Sequence, residues 1–155
     1  MKLSRTIGYA IQATLQLAEV PIGTKRTCHE MAEVGHMPER FLLQILRCLV
    51  THGILRSTRG VNGGYTMVRS PEEVSLLDII EAVEGPIGFD LDEADIGHAA
   101  ACRTLTEVQL KIRREMDAVK LSTLLASANH QEPDLSHRLD RSTDADCPNP
   151  ANHAA

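Results

Sequence analysis

At 155 residues with 43% hydrophobic side chains, the chain can bury one sizeable core and little beyond it. Its net charge of −5 hides an asymmetry: residues 1–70 carry nine Lys/Arg against four Asp/Glu, net +5, while residues 71–155 carry seven against seventeen, net −10. Arg5, Gln12, Gln16 and Glu19 interrupt the first twenty residues and no apolar run is long enough for a membrane span, so neither a signal peptide nor a membrane segment is expected.

Ser4 is placed to cap a first helix running to about Glu19, with Leu3, Ile7, Ala10, Ile11, Thr14, Leu15 and Ala18 as its buried stripe. Pro21-Ile22-Gly23 ends it. Thr27-Cys28-His29-Glu30 is a capping-box pattern opening a short second helix that stops near Val34-Gly35, with Met31 and Ala32 as its apolar face. Pro38 suits the first turn of a third helix, where its missing N–H is harmless. Phe41, Leu42, Ile45, Leu46, Leu49 and Val50 form the expected buried side, and Gly53 the stop. Arg40, Gln44 and Arg47 follow at i, i+4 and i+7, so three donor-rich side chains share the other face.

Ile54–Ser57 and Tyr65–Val68 read as two short strands around Arg59-Gly60-Val61-Asn62-Gly63-Gly64, with Asn62, Gly63 and Gly64 expected to supply positive φ at the tip. A hairpin behind a helix-turn-helix is a wing. The helix can enter a major groove while the hairpin lays Arg59 on phosphates or into the minor groove. The electropositive half of the chain is the winged half, as contact with a phosphate backbone requires.

Ser75-Leu76-Leu77-Asp78 then caps a helix through Ile79, Ile80, Ala82 and Val83 that stops at Gly85-Pro86. Residues 86–101 read as irregular and acidic, with Asp90, Asp92, Glu93, Asp95 and His98. Thr104-x-x-Glu107 is a further capping box, opening a helix to about Val119 striped by Leu105, Val108, Ile112, Met116 and Val119. The stripe pairs with its copy in a second subunit or packs back on its own domain; the homodimer is the expected use. Leu121-Ser122-Thr123-Leu124-Leu125 reads as one more turn or short helix, and the polar, proline-bearing residues from Asn129 onward read as disordered. The fold class is thus mainly α with a small β-hairpin wing. Its expected divisions are a winged helix-turn-helix over 1–85, a sensor-type loop over 86–103, a dimerisation helix with a short following helix over 104–127, and a tail over 128–155.

The order of these parts and several of their words resemble the IscR/NsrR/CymR family of winged-helix regulators (the Rrf-two type). The matching words are Met1-Lys2-Leu3-Ser4, Tyr9-Ala10, Phe41–Leu46, His52–Ser57, Arg59-Gly60-x-x-Gly63-Gly64-Tyr65, Ser70–Glu73 and Leu76–Gly85. The resemblance covers residues 1 to about 126 and implies a cytoplasmic, homodimeric transcriptional regulator, usually a repressor, bound to double-stranded DNA. It implies that the third helix reads the major groove and the wing arginine reaches the minor groove. The expected DNA-contacting set is Pro38, Arg40, Leu43, Gln44, Arg47, Arg56, Arg59, Gly60, Gly63, Gly64 and Tyr65. Leu43 stands where the family often carries a base-contacting Glu. A leucine offers a base edge apolar contact alone, for instance to a thymine methyl, so Gln44 and Arg47 carry more of the polar readout.

Iron–sulfur members of that family place three cysteines before the dimer helix, whereas this chain has Cys102 alone there. Clusters are usually held by several thiolates, so no cofactor is expected. The alternative is a metal or iron–sulfur centre at Cys102 and His98, four residues apart, with a partner subunit adding a ligand such as His36. Cys28 and Cys48 read as small half-buried helix residues, and Cys147 has no partner spacing. A further alternative is a winged-helix module that docks on protein, with no operator. Arg40, Arg47, Arg56 and Arg59 argue against it, since protein docking has no special need of so basic a surface. A small-molecule or protein effector is compatible with the sequence. No phosphate-cradling loop, Ser-His-Asp set or paired carboxylates is indicated by any motif, so an enzyme is not expected.

Overall fold

A computed structural model describes residues 4–88 and 99–129. Helix α1 (Arg5–Ala18) starts where Ser4 caps it, the hydroxyl oxygen accepting from Ile7 N–H at 3.3 Å while its own proton goes to the Glu84 carboxylate. The helix lies at the centre of the fold, touched by the next three helices, by the last helix (Leu121–Asn129) and by the second hairpin strand, and it buries Ile7, Ala10, Ala13, Thr14, Gln16 and Leu17. The expected one-sided stripe is therefore corrected. Ile11, Leu15 and Ala18 are half-buried, Ala13, Gln16 and Leu17 go inside, and Leu3 lies outside the described residues. Gln16 is anchored there by its amide N–H, which donates to Met31 O at 3.3 Å, while its Oε1 is buried without a partner among the described residues.

Helix α2 (Cys28–Gly35) carries the full capping box: Glu30 N–H donates to Thr27 Oγ1 at 3.2 Å and Thr27 N–H to the Glu30 carboxylate at 2.7 Å. That second bond holds the Glu30 carboxyl below the usual carboxylate range. The turn to the next helix passes through His36 in the left-handed region at φ 49° and then buries Met37. Gly35 lets α2 end against α1, since a Cβ there would stand 3.0 Å from the Gln12 and Gln16 amide nitrogens of that helix.

Helix α3 (Glu39–Thr51) places Pro38 at its N-cap, one residue ahead of the expected first-turn position, and ends on Gly53 at φ +70° with Ile54 N–H returning to Leu49 O at 3.0 Å. Leu42, Ile45, Leu46 and Leu49 are buried as the pattern requires. Phe41 is not: its ring is 62% exposed, and Val50 is half-buried. Phe41 sits about 100° around the helix from the buried Leu42 face, and no element among the described residues covers it.

Strands β1 (Leu55–Thr58) and β2 (Gly64–Met67) pair antiparallel, in the register Leu55↔Met67 to Thr58↔Gly64. Leu55 and Met67 enter the core, where the hairpin joins the helices. Positive φ at the tip falls on Gly60 (105°) and Gly64 (151°) rather than on Asn62 or Gly63. Gly63 is needed for closeness instead: its N–H donates to Gly60 O at 2.9 Å, and a Cβ would meet Thr58 O at 2.6 Å.

Helix α4 (Leu76–Glu84) opens with a capping box between Ser75 and Asp78 and ends at Gly85. Helix α5 (Ala99–Ala118) is longer than expected at its N-terminal end, so Ala99–Ala101 are helical and Thr104 is interior. The Thr104 hydroxyl donates back to Ala100 O at 3.0 Å, which leaves it no capping role. Asp90, Asp92, Glu93, Asp95 and His98 lie outside the described residues. Helix α5 is tied to α4 by Arg113, whose guanidinium is forked onto the Glu81 carboxylate, while Ile87 N–H donates to Glu81 Oε1 at 3.0 Å. These side chains are 32% and 24% exposed. Arg113→Ala should therefore cost about 1–2 kcal/mol, at the low end for a broken partly buried pair because water still screens it. Hydrogen exchange should quicken along 99–118 and not along α1–α3.

The chain then turns back. Leu76 N–H donates to Val119 O at 2.8 Å and Leu121 N–H to Val74 O at 2.9 Å, pinning the end of α5 to the entry of α4. Helix α6 (Leu121–Asn129) follows and packs on α1, with Leu121 fully buried in the shared core. Ala128 and Asn129, expected in the tail, are the end of this helix, and the tail beyond lies outside the described residues.

Candidate nucleic-acid interface

Arg40, Gln44 and Arg47 are all exposed and lie along one side of α3, with Leu43 half-buried at its flank. At 3.6 residues per turn the three fall within about 60° of one another, a ridge narrow enough for a groove. Pro38 heads this helix with no side-chain cap, so the first N–H groups of α3 remain available to an anion. Cys28 Sγ reaches Glu39 O at 3.8 Å, bringing the start of α2 against the start of α3; burial, then the nearby Glu39 charge, pushes that thiol up.

The wing is fastened beside this face by a segment not assigned a role from sequence. Arg26 and Tyr65 exchange backbone hydrogen bonds, Tyr65 N–H to Arg26 O at 2.8 Å and Arg26 N–H to Tyr65 O at 3.1 Å. Gly64 makes this approach feasible, since a Cβ would stand 2.8 Å from Arg26 O. Lys25 Nζ then donates to Asn62 O at the hairpin tip, at 3.3 Å. Lys25 and Arg26 thus join the exposed Arg56 and Arg59 around one hairpin. The signal in the sequence was the basic pair directly ahead of the Thr27 cap, which reads as a loop when the bridge to Tyr65 is not known.

Tyr65 is half-buried and packs against the core, and burial, then Cys28, raises its phenol, partly offset by Arg47. Helix α3 packs against β1, which sets the recognition ridge next to the wing. Arg56 and Arg59 are exposed on it; Gly60, Gly63 and Gly64 shape it.

The expected subunit stripe is spread differently. Leu105, Ile112 and Met116 are half-buried on the side of α5 that also carries Gln109 and Arg113, Val119 is half-buried just past its end, and Val108 is 40% exposed at the edge. No residue of α5 is buried. Cys102 is half-buried in the first turns of α5 rather than ahead of it, and His98 lies outside the described residues. Among the described residues, no three His, Cys, Asp or Glu side chains are grouped to hold a metal ion, and no helix is long and apolar enough to cross a membrane.

The Rrf2 family model, described as iron-dependent transcriptional regulator, matches residues 3–127. A Mycobacterium tuberculosis protein described as an HTH-type transcriptional regulator is 33% identical over 128 residues, spanning 81% of this chain and 80% of that one. Among solved structures, an IscR of T. potens is 27% identical with a TM-score of 0.64 over 86% of this chain and 92% of that one. CymR, the global cysteine regulator of B. subtilis, has a TM-score of 0.69 over 82% of this chain and 98% of that one, and at 23% identity it shows the fold alone. With a winged helix-turn-helix, a basic ridge beside the wing and these relatives, the chain belongs to the Rrf2 family of DNA-binding transcriptional regulators.

Proposed function

We propose that the chain is a cytoplasmic, homodimeric repressor that reads a pseudo-palindromic operator, α3 in the major groove and the wing on the flanking backbone. The observation that carries this reading is the exposed Arg40–Gln44–Arg47 ridge next to a wing pinned by the Arg26–Tyr65 bridge. Arg47 can hold a guanine bidentately and Gln44 an adenine, while Leu43 meets a thymine methyl. Arg56, Arg59 and Lys25 neutralise phosphates, which sets the affinity and its salt dependence. Arg47→Ala or Gln44→Ala should each cost about 1–3 kcal/mol of operator binding and relax preference at one position. Fluorescence anisotropy on cognate and scrambled duplexes checks this; equal loss on both would remove α3 from base reading.

The second subunit is supported by α5, whose twenty residues include none that is buried while Val108 and Leu110 stay exposed. Val108→Glu, at an exposed position of that helix, should leave a folded monomer in sedimentation and lower operator affinity by ~100-fold or more, because paired half-sites no longer act together. A dimer that survives this change would put the interface elsewhere.

The family description names iron, and the donor chemistry here does not fit a conventional cluster. Cys102 is the single thiol of α5, Cys28 and Cys48 sit on α2 and α3, and clusters are held by several thiolates. The repressor reading therefore includes no resident cluster, and control falls to a small molecule or a protein partner. Iron content of anaerobically purified protein separates this from a centre at Cys102 and His98.

A further inference from the structure

Between α1, α3 and the end of α4 lies a cleft of about 540 Å³, within the ~300–1,000 Å³ of small-molecule sites. Its apolar wall is Tyr9, Phe41, Ile45 and Val83, so two of the chain's four aromatic rings meet in one place. The Phe41 ring is 62% exposed here although its neighbours Leu42 and Ile45 are buried, an apolar surface left for something to cover. Few of the lining residues are polar: Arg5 and Thr6 from α1, both exposed, and Gln44 and Cys48 from α3. None of the ion pairs among the described residues involves Arg5, and nearby Glu84 is engaged by Ser4 instead.

An apolar body with one unpaired cation at its rim has the chemistry to hold a small amphipathic monocarboxylate. We propose that this cleft is an effector site for such an acid, its carboxylate on Arg5 and its hydrocarbon or aryl body against Tyr9 and Phe41. The site bears on DNA directly, and in this respect it rests on the base-reading role proposed for α3. Gln44 lines the cleft and also stands on the ridge between Arg40 and Arg47, so an acid that engages its amide removes it from base contact. Binding of acid and of operator are therefore mutually antagonistic, by the same factor in either direction.

The test uses the full chain without DNA, titrated calorimetrically with octanoate and with phenylbutyrate, and with phenylbutyramide as the uncharged control. The acids should bind and the amide should bind about tenfold or more weakly, the loss expected of a missing charge-assisted hydrogen bond. Arg5→Gln should weaken the acids to the level of the amide, and Thr6→Trp, a change at an exposed rim position, should block all three. Saturating acid should then lower operator affinity at least about fivefold in the wild type and not in Thr6→Trp. No heat from either acid in cooperatively melting protein, or binding indifferent to both substitutions, overturns the site. A Thr6→Trp chain that turns from dimer to monomer in sedimentation also overturns it, since the cleft would then seat a second copy. Acid binding with unchanged operator affinity keeps the site and removes the coupling through Gln44. Acid binding in a chain that retains no duplex keeps the site and sinks the base-reading role of α3 instead.

Discussion

Arg59→Glu should abolish retention on duplex DNA at physiological salt and leave the melting temperature within about 2 °C of the wild type. Arg59 is exposed at the start of the hairpin loop, away from the Gly60–Gly63 turn bond and from the Leu55 and Met67 side chains that hold the hairpin to the core. The substitution removes a cation and puts an anion against phosphates in each subunit. Affinity should fall by ~100-fold or more for cognate and unrelated sequences alike. The slope of log affinity against log salt should shrink by about 1 per subunit, the share of a single phosphate contact. Anisotropy titrations over a salt series measure both. Loss confined to the cognate sequence would make Arg59 a base reader, and unchanged affinity would take the wing off the DNA.

Leu121→Ala should destabilise the whole winged domain, although residue 121 lies far along the chain from the wing. Its side chain is 0% exposed, inside the cluster built by α1, α3 and the hairpin, and its N–H is bonded to Val74 O. Truncating a buried leucine costs about 2–5 kcal/mol. For a domain of this size that lowers the melting temperature by roughly 10–20 °C. If α6 were an accessory helix, the change would be small and confined to it. Thermal unfolding followed by far-ultraviolet circular dichroism separates the two, since a core residue moves the single cooperative transition. The same residue explains how α5 is aimed. Its C-terminal end is clamped to the entry of α4 by the backbone bonds around Ser75 and Lys120, and its middle is clamped by Arg113 on Glu81. A helix held at two points transmits the winged domain's orientation to whatever it meets on its open side.

Local signals in the sequence carried far where the cause of structure is local. Thr27 with Glu30 and Ser75 with Asp78 are caps because their partners sit three residues away, and both boxes form. Gly53 ends α3 for the same kind of reason. The exposed ridge of Arg40, Gln44 and Arg47 was legible from spacing alone, because polar side chains at i, i+4 and i+7 have no other face to take. Long-range contacts decided the rest. Thr104 and Glu107 match a capping box as well as Thr27 and Glu30 do, yet α5 begins by Ala99, and a helix already under way at Thr104 leaves the box nothing to cap. Phe41 fits the apolar period of α3 and stays outside, since which neighbour covers a helix edge is set by tertiary packing and not by periodicity. Lys25 and Arg26 became part of the basic surface only through the bridge to Tyr65, 39 positions downstream of Arg26. The half-buried side of α5 combines the expected stripe with Arg113 and Gln109, both of which face the α4 side of the domain.

The measurement that bears most directly on a dimeric operator reader is an unbiased selection. Purified, folded protein is incubated with fragmented genomic DNA, and the retained fragments are sequenced. A shared inverted repeat is predicted, with half-sites centred ~10 bp apart or a multiple of that, as two α3 helices on one side of a duplex require. The same repeat should be lost from selections with Arg47→Ala. Enrichment of no sequence above background, from protein that is dimeric in sedimentation and melts cooperatively, would contradict the account.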